Sequence, residues 1–272
     1  MRELPAELVL PAGAVPDAPP GPPAVPKDAA TVMLVRDSAV GMEVFLQRRV
    51  SGMPFAGGMT VFPGGSVDQR DVDATVAWHG PDPDWWAHRF GCSPALARAL
   101  VCAAVRETFE ESGVLLAGSA AGSVVADARP YHAARAALVA REVSFAGFLA
   151  DAGLVLRADL LRPWANWVTP APEPRRFDTR FFLAALPTGQ HADGETTEAD
   201  RTSWQRPSAA LADWRGGGCA LMPPTWVMLS DLAEHATVAD AMAADPHFAK
   251  ILPKIVRDGD ALRVVLPDEE SR

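Results

Sequence analysis

The segment that most constrains this chain is bounded at both ends. Ser93-Pro94 supplies a capping hydroxyl followed by a residue pre-set for a first helical turn, and Gly113 is a natural stop. Between them, apolar residues at 96, 97, 100, 101, 104 and 105 keep helical spacing. The pattern predicts a helix over about 94–112. That helix carries Glu107, Glu110 and Glu111. At ~100° per residue the three carboxylates share an arc of about 100°, away from the apolar side. Such an arc must face a cleft or solvent. It repels itself unless a hard divalent cation, or Arg106 at i,i+4 to Glu110, neutralises it. The plain alternative is a solvated acidic face.

A chain of 272 residues makes one large domain or two small ones. Lys plus Arg number 25 and Asp plus Glu 34, so the net charge is −9. That balance argues against a protein held on nucleic acid or an anionic membrane by bulk positive charge. It leaves room for a polyanion, because a bound cation inverts the local field. Cys92, Cys102 and Cys219 are odd in number and lack CxxC spacing, which predicts reduced thiols rather than a disulfide framework or a zinc site. No stretch is apolar enough to span a bilayer and no secretory leader is visible, so a cytoplasmic protein is expected.

Eight of the 25 prolines fall between positions 5 and 26. Proline lacks a donor and locks φ, so residues 1–27 read as a disordered or extended arm, and 28–272 as one domain. Residues 29–35 and 42–48 read as a β-hairpin, and Val61-Phe62 as a strand end entering a tight loop at Pro63-Gly64-Gly65. Residues 72–92, with Trp78, Trp85 and Trp86, read as an inserted loop whose aromatics anchor it to the core or line a ligand pocket. Residues 130–161 read as helical, 164–170 and 180–186 as strands, and 187–203 as a polar acidic loop. Helices follow at 207–214 and 223–235, with a last short strand at 264–266. Alternating strands and helices favour one α/β domain with insertions.

The run Arg106-Glu107-Thr108-Phe109-Glu110-Glu111-Ser112-Gly113-Val114, with Phe62-Pro63-Gly64-Gly65 upstream, resembles the Nudix box, Gly-x5-Glu-x7-Arg-Glu-U-x-Glu-Glu-x-Gly-U, where U is bulky and apolar. Thr108 stands at the first U. Gly65 maps onto the leading glycine, and Asp71 stands where the box has Glu. The spacer from Asp71 to Arg106 is 34 residues rather than seven, an excess of 27 that includes the inserted loop at about 72–93. With Trp164–Pro170, Arg175–Phe182 and Met222–Thr225, the split box resembles the Nudix branch that includes peroxisomal coenzyme A diphosphatases and bacterial relatives.

The resemblance implies a Nudix α/β/α sandwich with a mixed β-sheet, plus helical insertions, the second at about 123–163. It implies a hydrolase that cleaves a diphosphate linkage with Mg²⁺ or Mn²⁺, on coenzyme A or acyl-coenzyme A. The alternatives are another nucleoside diphosphate derivative (a dinucleotide, ADP-ribose or a nucleoside triphosphate) or a non-catalytic nucleotide-binding sensor. Carried over, Glu107, Glu110 and Glu111 are metal ligands with the Gly65 carbonyl. Glu107 and Glu111 serve catalysis, and Arg106 holds a glutamate in position. An acid from outside the box is expected from Glu198 or Glu195. Arg48, Arg49, Arg175 and Arg176 are candidates to grip substrate phosphates. A coenzyme A signature upstream of the box is matched by Arg49 and by Gly58–Gly65, while Pro54 stands where its second Arg should be. The partner expected is a small nucleotide diphosphate substrate, with neither nucleic acid nor membrane, and the family adds a homodimer as one option.

Overall fold

A computed structural model describes residues 7–10, 22–72, 75–120, 122–171, 173–258 and 261–265. Most of the expected proline-rich arm, at 1–6 and 11–21, lies outside the described residues, as does Leu266. Inside the arm, β1 (Glu7–Leu10) is an extended edge strand. The hairpin β2 (Lys27–Ser38) and β3 (Gly41–Arg49) follows, then the short strands β4 (Thr60–Val61) and β5 (Gly64–Ser66). Next come α1 (Gln69–Val72), β6 (Trp78–His79), α2 (Pro83–Phe90) and α3 (Pro94–Ser112). The middle of the chain holds β7 (Ala117–Gly118), α4 (His132–Val139), α5 (Phe145–Asp151), β8 (Val155–Arg157), β9 (Leu161–Val168) and β10 (Phe177–Ala185). It ends with β11 (Ala199–Gln205), α6 (Pro207–Arg215), α7 (Pro223–Leu232), α8 (Val238–Ala243), β12 (Lys250–Ile251), β13 (Lys254–Asp258) and β14 (Ala261–Val265).

The main sheet runs β11-β3-β2-β10-β9-β12, with β4 on β3 and β5 on β2. It is mixed: β10 pairs parallel with β2 and antiparallel with β9. Central β2 is buried on both faces, and its side chains alternate between two cores. Val32 and Leu34 pack with Phe45, Phe182 and α3 on one side. Met33 and Val35 pack with Phe181, Leu183 and α6 to α8 on the other. The result is the expected α/β/α sandwich, with a period-2 strand feeding two helical layers.

Helix α3 has the predicted span. Ser93 Oγ accepts from Leu96 N at 3.2 Å, Pro94 occupies the first turn, and Gly113 closes the helix at φ +74°. Thr108, at the box's apolar position, is fully buried and donates to Ala104 O at 2.7 Å, so its hydroxyl costs little.

Four readings are corrected. The inserted loop is instead largely ordered: Asp82 accepts from Trp85 N at 2.8 Å, Pro83 opens α2, and Gly91 ends it at φ +62°. Trp86 and Phe90 from this insertion are buried in the core on Phe182, so these aromatics anchor, while Trp85 is exposed. The helical reading of 130–161 holds for α4 and α5 but gives way to strand at β8 and β9. The acidic loop holds over 187–198, but from Ala199 it gives way to the edge strand β11, which pairs antiparallel with β3. Its sequence, ADRTSWQ, shows little apolar alternation because an edge strand buries little. The Gly64–Ser66 loop is likewise strand β5, paired with Ala29–Thr31.

Candidate active site

The last two turns of α3 bring the carboxylates together around one guanidinium. Arg106 is 6% exposed. Its Nη1 donates to Glu107 at 2.7 Å and Glu110 at 3.3 Å, and its Nε and Nη2 grip Asp71 at 3.0 and 2.8 Å. Asp71 is 1% exposed, so the acid standing in for the box's first Glu reaches Arg106 across the whole insertion. The insertion between α1 and α3 packs onto the core through α2 without separating the two halves.

The glycines of Phe62-Pro63-Gly64-Gly65 allow β5 to lie against α3. A Cβ on Gly65 would come within 2.5 Å of the Glu107 carboxylate, and one on Gly64 within 2.5 Å of Ala30 O. Gly64 N donates to Glu111 Oε2 at 2.8 Å, and Gln47 Nε2 donates to the same oxygen at 2.5 Å. Gln47 is 1% exposed, and its Oε1 has no partner among the described residues. Sequence reasoning missed it. The available signal was an uncharged polar residue in strand phase with Phe45, which faces α3.

Glu198 stands opposite, at the entry to β11. Arg49 donates to its carboxylate at 2.9 Å, and Val50 N to its carbonyl at 2.9 Å. Arg135 on α4, also missed, is buried. It donates to Glu110 O at 3.0 Å, to Asp193 at 2.8 Å and to Glu195 O at 3.1 Å, fixing the helix C-terminus against the 193–195 loop.

Burial raises the carboxylates. It pushes Glu107 up to about 7 despite Arg106, and Glu110 in the same direction. Burial and the neighbouring Glu107 hold Glu111 well above the usual carboxylate range, with Glu198 adding to both. Burial alone would lower Arg106, but Glu107, Asp71 and Glu110 outweigh it and hold the guanidinium firmly charged.

These groups open into one cavity of about 730 Å³. Glu107, Glu110, Glu111 and Glu198 line one part of it; Met53, Phe55, Met59, Phe62, Trp167, Phe177 and Leu221 line the rest. All three sequence segments quoted from outside the box reach its wall, through Trp167–Pro170, Phe177 with Thr179 and Phe181, and Met222–Thr225.

The predicted residues thus divide. Gly65, Arg106, Glu107, Glu110, Glu111, Glu198 and Arg49 share the cavity wall. Arg48 does not; it is exposed and paired with Asp200 at 2.7 Å. Arg176 is turned onto Thr169 O and Ala24 O, and Arg175 is exposed off the wall. Glu195 points its carboxylate to His132 at 3.4 Å, outside the cavity.

The family model of the NUDT19 Nudix domain matches residues 93–232, just over half of the chain. The chain belongs to the NUDT19 Nudix family. Its relatives include the acyl-coenzyme A diphosphatase NUDT19 of Homo sapiens, 28% identical over 85% of this chain and 72% of that protein. The Xenopus laevis protein of the same name is 25% identical over 72% of this chain, and putative nudix hydrolase 7 of Caenorhabditis elegans 28% over 76%. The chain spans about three fifths of the length of these last two. A Nudix hydrolase crystal structure from Alicyclobacillus acidocaldarius is 28% identical, with a TM-score of 0.66, over 82% of this chain and 98% of that one. Among the described residues of this family member, no helix is long and apolar enough to cross a membrane.

Among the described residues, no three His, Cys, Asp or Glu side chains are already gathered as a finished metal site. The box carboxylates are instead turned onto Arg106, Gln47 and Gly64 N. The donor chemistry nevertheless fits a hard cation. Asp71, Glu107, Glu110, Glu111 and Glu198 supply hard oxygen donors, and among the described residues the ion pairs around them come from only two guanidinium groups, Arg106 and Arg49.

Proposed function

We propose that this chain is a divalent-cation-dependent diphosphatase of coenzyme A or acyl-coenzyme A, releasing 3′,5′-ADP and (acyl-)phosphopantetheine. One observation carries the reading: a single cavity joins an acidic turn suited to a cation and a diphosphate with apolar walls suited to a thioester arm. The names of the relatives point the same way. Mg²⁺ or Mn²⁺ is the ion proposed, and the cytoplasm, which suits three free cysteines, the compartment.

Glu107, Glu110 and Glu111, with the Gly65 carbonyl, would hold the cation, which when bound polarises phosphoryl oxygens and lowers the pKa of water. Arg106 orients Glu107 and Glu110, and Gln47 with Gly64 N orients Glu111. Glu198 is the acid from outside the box. Held by Arg49 on the cavity wall that Glu107 and Glu111 also line, it would take the proton of the attacking water. The water oxygen bonds to one phosphorus as the bridging oxygen leaves. The apolar walls exclude competing water and strengthen each charge interaction.

The test is a substrate panel with Mg²⁺ or Mn²⁺. Release of 3′,5′-ADP from coenzyme A or its thioesters, with dinucleotides, ADP-ribose and nucleoside triphosphates inert, is the expected result. Glu111→Gln should lower kcat at least ~100-fold by removing charge stabilisation. Turnover of none of these compounds, with ligand binding unchanged in Glu111→Gln, would favour a nucleotide sensor instead.

A further inference from the structure

Four arginines line the cavity: Arg49, Arg70, Arg106 and Arg141. Three are already engaged. Arg49 is paired with Glu198 and Arg106 with Asp71, Glu107 and Glu110. Arg70 is forked onto Asp68 and also donates to Val143 O. Arg141 is exposed, and among the described residues its guanidinium makes neither an ion pair nor a hydrogen bond.

Its backbone is unusual too. Arg141 sits at φ +61°, in the left-handed region, on the turn between α4 and α5. Among the described residues one other non-glycine residue shares that region, Ala56, and it lines the same cavity. Left-handed backbone at a bulky residue is disfavoured and persists where its surroundings fix it. Here Arg70 pins the turn through Val143 O, and Arg135 pins α4 to Glu110 O at the end of α3. The turn is therefore fixed to the acidic helix while presenting an uncommitted guanidinium at the cavity.

We infer that Arg141 is a specificity-determining residue that binds a phosphomonoester carried by the substrate in addition to the scissile diphosphate. The inference rests on the coenzyme A reading above, in which that group is the 3′-phosphate. A diphosphate is handled at the acidic turn of α3. A further phosphate needs a cation that is not already neutralised, and a guanidinium meets phosphate through two parallel hydrogen bonds. Arg141 lies on the turn between α4 and α5 rather than on the box, so the chemistry at α3 is left intact while selectivity is set beside it.

The experiment titrates the metal-free protein calorimetrically with 3′,5′-ADP and with 5′-AMP. Wild type should prefer 3′,5′-ADP by about tenfold or more, the scale of one charge-assisted phosphate contact. Arg141→Gly should abolish that preference. Glycine adopts φ +61° freely, so this variant loses the guanidinium without straining the turn. Arg141→Lys, which keeps the charge and loses the fork, should fall between. An unchanged preference in Arg141→Gly overturns the assignment, as does a wild type that binds both nucleotides equally or neither. A wild type that shows the preference, loses it in Arg141→Gly, and yet does not hydrolyse coenzyme A upholds Arg141 and rejects the coenzyme A reading alone.

Discussion

Asp71→Ala leaves a buried guanidinium with Nε facing nothing and Nη2 holding only Ser66 O at 3.2 Å. Arg106 keeps Glu107 and Glu110 but loses the forked bonds to a carboxylate that is itself 1% exposed. Breaking one side of such a pair costs about 3–5 kcal/mol, which urea denaturation would read; a loss under about 1 kcal/mol would contradict the pairing. Gln47→Leu makes a different point. It removes a short bond to Glu111 Oε2 without adding charge. Residues that orient metal ligands typically contribute about 10–100-fold in affinity, so Mn²⁺ binding followed by spin resonance should weaken at least about tenfold. Unchanged Mn²⁺ affinity would reduce Gln47 to a packing residue. Glu107, Glu110 and Glu111 were legible because one helix turn sets their spacing. Gln47 and Arg135 were not, because each acts on α3 from another element, at sequence separations of 64 and 25.

At the scale of elements, the insertion is the instructive case. Its Trp, Pro and Gly residues read as loop, yet Asp82, Pro83 and Gly91 are cap signals that define α2. Trp86 is fully buried among Phe90, Phe182 and Trp85. Trp86→Ala should therefore cost about 3–5 kcal/mol, as deletion of a core aromatic does, whereas an excisable loop would lose little. Denaturant midpoints of the two proteins decide it. Strand β5 shows the opposite dependence. Gly65→Ala drives a methyl into the Glu107 carboxylate, so β5 and α3 must part or Glu107 must turn. The expected outcome is a fall in kcat of about tenfold or more with a modest loss of Tm, since catalytic geometry is sensitive to ~1 Å shifts. Strand β11 escaped the sequence for another reason: an edge strand is specified by its partner β3 rather than by its own alternation.

The whole molecule sets the titration of the site. Glu107 titrates near 7 in the fold against an ordinary value of 4.5, and Glu110 and Glu111 shift the same way. Between those values the fold binds more protons than the unfolded chain. These carboxylates therefore stabilise the metal-free protein less as pH rises through that window. A divalent cation prefers the ionised site, so the Tm gain on adding Mg²⁺ should be larger at about pH 8 than at about pH 5.5. A gain that is flat or shrinks toward higher pH would contradict the cation site. The net charge of −9 belongs to the same picture, since part of it is concentrated where a cation can use it.

What the sequence determined by itself was local. Capping at Ser93 and Gly113, helical spacing and the 100° step placed α3 and its acidic arc, and alternation placed the β2–β3 hairpin. The box pattern pointed to the family because those carboxylates lie within two helical turns. Only the tertiary structure decided which distant groups meet them. It brought Asp71 back to Arg106 across the insertion, put Glu198 and Arg49 on the cavity wall with Glu195 and Arg48 off it, and left Arg141 uncommitted. Neighbours in sequence on a strand point to opposite faces, and loop residues take their direction from what they pack against. Such choices are settled by burial and pairing between elements, which no local pattern records.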